Sequence, residues 1–143
     1  MKVSRTLCFI TATLALITLF AMPNLAAPQE LTSLLASARG KGTVTVGNEV
    51  FKVSNVVVKL KEDGTGEIIL ITDLQLFITC TWSAPADLSK GVDLKITGGT
   101  SAGGAHGYGK LLLRPDGKAI DRLSIDGSSN TSKRKIKVEF VAD

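Results

Sequence analysis

From Gly42 to the C-terminus, the apolar residues of this chain recur at every second position, a period that admits little besides β-structure. Leu74, Leu76, Ile78, Cys80 and Trp82 alternate with Asp73, Gln75, Phe77, Thr79 and Thr81. Val92, Leu94 and Ile96 alternate with Asp93, Lys95 and Thr97, and Ile136, Val138, Phe140 and Ala142 with Lys135, Lys137 and Glu139. Successive side chains of a strand point to opposite faces, so each run presents one apolar face and one polar face. Turn signals separate the runs: Gly47-Asn48, Asp63-Gly64-Thr65-Gly66 and Pro115-Asp116-Gly117-Lys118. Glycine and aspartate at these places suit tight hairpins. Seven or eight short strands so joined predict an all-β domain, an antiparallel meander closing as a small barrel. A two-sheet β-sandwich is the alternative.

Three segments depart from plain alternation. Between Glu49 and Lys61 the apolar residues fall first on odd positions (Phe51, Val53, Val57) and then on even ones (Val56, Val58, Leu60), with the change at Ser54-Asn55. A one-residue change of face is what a β-bulge produces, or a strand rounding a barrel corner. Ile68 to Ile71 is apolar on both faces and so is sheltered on both sides. Residues 98–109 hold six glycines. They read as a loop passing into a glycine-kinked strand near Gly107 and Gly109, where a wall bends or two backbones approach closely.

The first 27 residues are of another kind. Lys2 and Arg5 precede an apolar run from Leu7 to Met22, followed by Pro23-Asn24 and the small pair Ala26-Ala27. This order predicts a secretory signal peptide cut near Ala26 or Ala27, because the run is short and diluted by threonine for a membrane anchor. The exported protein then keeps no stable membrane anchor and is secreted or periplasmic. Pro28, Glu30, Leu31, Leu34, Leu35, Ala38 and Gly40 fit a short helical leader over 28–40, with a single β domain over 41–143. Of the 17 Lys and Arg residues, Lys2 and Arg5 leave with the signal, so 15 face 13 acidic residues. A balance that mild makes no case for nucleic acid. Cys80 is then the one remaining cysteine, and no internal disulfide can form.

Candidate chemistry is sparse. Cys80 and His106 are the residue types of a nucleophile–base pair, but Cys80 shares the apolar face of Ile78 and Trp82, where a thiol stays protonated. One histidine and one cysteine in opposed settings supply no metal site, and no cofactor signature is present. Asp121 with Asp126, and Asp73 with Asp93, are carboxylate pairs without a privileged spacing. The glycine-rich stretch lacks the Gly-Lys-Ser/Thr ending of a phosphate loop. Its surviving functional reading is a lid or ligand region made by Gly98, Gly103, Gly104, His106 and Tyr108. Lys133, Arg134, Lys135 and Lys137 form the basic cluster, suited to an anionic surface such as lipid headgroups or a cell-envelope polymer. Lysines guarding an edge strand account for the same residues and are the preferred reading. Asn130-Thr131-Ser132 fits the N-glycosylation acceptor pattern.

An export signal, a short leading helix and antiparallel strands around an apolar interior together resemble the calycin-like barrels in outline. The Gly-x-Trp near the start of the first lipocalin strand is absent, Thr81-Trp82 lies mid-chain, and no family is assigned. The function expected is non-enzymatic: a binding module for a small apolar or amphipathic ligand inside the barrel or at its mouth. The alternative is a cell-envelope interaction domain acting through an edge strand or the basic C-terminal strand. A small enzyme ranks third.

Overall fold

A computed structural model describes residues 29–99 and 104–143. The signal-peptide reading of residues 1–27 lies outside them. The chain runs as β1 (Glu30–Leu31), β2 (Leu34–Val46), β3 (Glu49–Leu60), β4 (Thr65–Ile71), β5 (Gln75–Trp82), β6 (Ala86–Asp87), a single 3-10 turn (Leu88–Lys90), β7 (Val92–Gly99), β8 (Ala105–Leu113), β9 (Ile120–Ser129) and β10 (Lys135–Ala142). Eight of these strands close an antiparallel barrel in the order β10-β2-β3-β4-β5-β7-β8-β9, while β1 and β6 form a separate two-stranded sheet. The expected meander barrel is therefore the observed architecture, and the sandwich is not.

The helical leader is corrected. Leu34 to Arg39 is the first half of β2, pairing with Leu60 to Asn55 of β3. Leu31, Leu34, Leu35 and Ala38 satisfy helical spacing, but Leu34 and Ala36 also satisfy period two and are buried, whereas Leu35 is 76 % exposed. The tertiary setting decides between the two. The lower half of β3 faces β4 on one side and needs a second ladder on the other, and only this segment supplies it. Strand structure therefore begins at Glu30, within the segment expected to be helical.

The change of face in β3 falls where the alternation breaks. Arg39 pairs with Asn55 and Gly42 with Val53, so Gly40 and Lys41 of β2 oppose Ser54 alone. Inside, Val53 is followed by Val56, Val58 and Leu60, all buried. The outer wall carries Lys52, Lys59, Thr79, Thr81, Lys95, Lys110 and Glu139, all exposed. The interior is apolar, and the outer wall mixes these polar side chains with the exposed Leu35, Phe77, Tyr108 and Val141.

The two barrel ends differ. One is plugged: Leu31, Leu34, Leu60, Trp82 and Ile120 are buried there, with Leu88 and Leu113 packed against them. Trp82 donates its indole N–H to the Lys61 carbonyl at 3.0 Å, satisfying its one polar atom. The β3–β4 turn beside it is held by Asp63, which accepts from the Thr65 amide at 2.9 Å and hydroxyl at 2.6 Å. Those bonds, the hydroxyl first, hold the Asp63 carboxyl below the ordinary carboxylate range. The opposite end receives the β2–β3, β4–β5, β7–β8 and β9–β10 connections and forms the mouth.

Cys80 points into the barrel and is 2 % exposed. Burial pushes its thiol pKa from 9.0 to about 11. Between those values the unfolded chain loses the proton and the folded chain keeps it. Stability is therefore full below pH 9 and falls as pH rises toward 11, by about 2–3 kcal/mol for a shift of that size. Unfolding free energies measured across that range are expected to show this slope, and Cys80→Val to remove that part of it. A thiol reagent should modify Cys80 only as fast as the barrel opens globally. Rapid labelling under native conditions would contradict the burial.

Candidate functional site: an apolar cavity at the mouth

The mouth is hollow because small residues occupy inward positions there. Deeper in the barrel, β7, β8 and β9 turn Ile96, Leu111 and Ile125 inward, all buried. Near the mouth the same strands carry Gly99, Ala105 and Gly127, and the space left over is a cavity of about 90 Å³. Its walls are apolar, with Val44, Leu70, Ile78, Ile96, Ile125 and Ile136 among them. An eight-stranded barrel is just wide enough to be filled by side chains or to hold one small ligand. Here the interior is packed below and open above.

Two local features set which glycines face the cavity. The β5–β7 ladder slips by one residue: Cys80 pairs with Ile96 but Thr79 with Gly98, leaving Thr97 as the extra residue. That slip sends Gly98 to the outer side, opposite Thr79, and turns Gly99 inward beside Ile78. On the neighbouring ladder Gly107 faces Gly127. A Cβ on either would strike the backbone of the other strand, so β8 and β9 approach here as only glycines allow. Gly107 and Gly109, expected where a wall bends or two backbones approach closely, both lie in β8, which begins already at Ala105, and the close approach is present at Gly107.

The residues singled out in the glycine-rich stretch do not converge. Gly98 and His106 border the cavity. Gly103 lies outside the described residues. Gly104, at φ +74°, packs beside the Asn130 side chain. Tyr108 stands on the outer wall, 72 % exposed, in register with Lys95 and Asp126. His106 is exposed on the outward side of β8, and its Nδ1 is hydrogen-bonded to Asn130 Oδ1. With the amide oxygen accepting, Nδ1 carries the proton. The bond ties the start of β8 to the β9–β10 turn at the rim, which also carries the Asn130-Thr131-Ser132 acceptor pattern.

The barrel wall separates Cys80 from His106: one faces in, the other out. Asp73 sits in the β4–β5 turn at the mouth, while Asp93 sits near the plugged end, 3.2 Å from Lys110 Nζ. Asp121 and Asp126 are exposed and five positions apart on one strand.

The basic cluster divides. Lys133, Arg134 and Lys135 belong to the β9–β10 connection and the first residue of β10, at the mouth. Lys137 lies further down the outer wall, 3.7 Å from Glu139. β10 pairs with β2 along one side and β9 along the other. It is not an edge strand, so edge protection does not explain its lysines. Gly99, Ile136 and Ser129 were not singled out from sequence. Ser129 is buried at 3 % exposure and receives the Ser132 amide on its hydroxyl at 3.4 Å.

Taken together, these features define an up-and-down eight-stranded barrel with one plugged end and one apolar mouth. Comparison with the models of known protein families, with curated proteins and with solved structures finds no match.

Proposed function

We propose that this chain is an exported, non-enzymatic binding module that takes a small apolar or amphipathic ligand into the mouth of its barrel. The cavity carries the proposal. Water in a space walled by valine, leucine and isoleucine finds few hydrogen-bond partners, so an apolar group displaces it favourably. Each methylene buried there contributes about 0.8 kcal/mol. Export rests on the charged, apolar and small-residue order of residues 1–27.

Titration with N-phenyl-1-naphthylamine tests the reading, since that dye brightens and shifts to the blue in apolar surroundings. Saturable enhancement, reversed by adding octanol, is expected. Trp82 serves as an internal control, being buried at the plugged end with its N–H bonded to Lys61. Its emission should stay unchanged when octanol alone fills the mouth. No saturable enhancement, or a Trp82 response to octanol alone, would contradict the proposal.

A further inference from the structure

We infer that the ligand is an anionic amphiphile, with an alkyl tail in the cavity and an oxyanion head at the β9–β10 rim that carries Lys133 and Lys135. This rests on the cavity-binding reading above and adds the charge of the head group.

Ile136 lines the cavity, and Lys135, Arg134 and Lys133 immediately precede it. Consecutive Cα atoms are 3.8 Å apart, so the Lys133 backbone lies within about 11 Å of a cavity wall, and a lysine side chain spans much of that. The connection that carries these cations is pinned. The Ser129 amide donates to the Arg134 carbonyl at 2.9 Å, and the Lys133 amide donates to the Ser129 carbonyl at 3.1 Å. Lys133 itself is held at φ +59°, a region a residue with a side chain rarely adopts.

Their charge is only partly answered. Arg134 has Glu49 at 3.9 Å. Among the described residues no carboxylate lies within ion-pair distance of Lys133 or Lys135. Across the mouth, the β4–β5 turn carries Leu74, 69 % exposed, beside Asp73, and the β2–β3 hairpin next to the cations carries Val50, 62 % exposed. A mouth with unanswered cations on its β9–β10 turn, exposed aliphatic side chains on its other turns and an apolar cavity between them matches a molecule with an apolar tail and a negative head. A neutral apolar ligand would leave the cations unused.

The experiment is a methyl NMR titration of the protein with octanoate, octanol and octylammonium at neutral pH and low salt. Octanoate is expected to bind about tenfold more tightly than octanol, the sum of two exposed charge contacts, and octylammonium most weakly. High salt should shrink that preference. Lys133→Glu combined with Lys135→Glu should abolish the octanoate preference and leave octanol unchanged, which also reports that the variant is folded. Equal binding of octanoate and octanol, or a preference that survives the double substitution, overturns the head-group assignment while the cavity reading stands. Failure of all three to bind overturns both. Co-sedimentation with phosphatidylglycerol vesicles but not phosphatidylcholine ones identifies a bilayer as the source of the amphiphile; octanoate binding without it identifies a free one.

Discussion

Phe140→Ala is expected to lower the unfolding free energy by about 3–5 kcal/mol, the usual cost of removing a buried aromatic ring and leaving its cavity. Domains of this size are stable by only about 5–15 kcal/mol in all, so the loss is a large fraction of the total. Phe140 is the bulkiest of the fully buried side chains. It sits on β10, the strand that closes the barrel by pairing with β2 and β9 at once. Gly42 is its register partner, and a Cβ there would lie 2.8 Å from the Phe140 Cα and 3.0 Å from its Cβ. Gly42→Val therefore attacks the same seam from the other strand, and the atoms it meets include backbone that cannot step aside cheaply. Val141 is the control: it is next in sequence, on the outer wall and 47 % exposed. Val141→Ala should stay within about 0.5 kcal/mol of the parent in chemical denaturation. If Phe140→Ala cost no more than that, the packing at the closure would be wrong.

Gly99→Phe is expected to weaken binding of an apolar probe by at least about tenfold, because the ring occupies the space the ligand needs, while the melting temperature holds or rises. A Cβ at Gly99 meets only the Ala105 Cβ at 3.5 Å and the Phe77 carbonyl at 3.8 Å, both ordinary contacts. The side chain therefore has room to enter the cavity instead of forcing the wall apart. Filling a void restores lost dispersion contacts, which is why stability should not fall. Ala105→Leu, from the next strand, narrows the same space and gives an independent check. Probe binding that survives both substitutions would place the site elsewhere.

Much of the barrel is legible in the sequence because its signals are local. The Asp63-Gly64 and Pro115-to-Lys118 turns, the alternation of β5 and β10 and the break at Ser54-Asn55 each depend on a few adjacent residues. The segment around Leu34 is different. Its leucines and alanines suit a helix and a strand alike, and the decision comes from β3, whose lower half needs a second partner. The cavity is harder still. Whether Gly98 or Gly99 faces inward depends on the single slipped residue at Thr97, a property of the β5–β7 pair rather than of either strand. The lysines were visible as a run. That Lys137 stands apart from Lys133 and Lys135, and that β10 has no free edge, follows only from closure.

The central claim is that a ligand enters the apolar mouth, and the most direct measurement is the set of intermolecular NOEs between octanol and the methyl groups of the protein. The expected result is contact with Val44, Ile78, Ile96 and Ile125, which wall the cavity, and none with Leu31 or Leu34 at the plugged end. NOEs to the plugged end or to the outer wall, or no NOEs at saturating octanol, would contradict it.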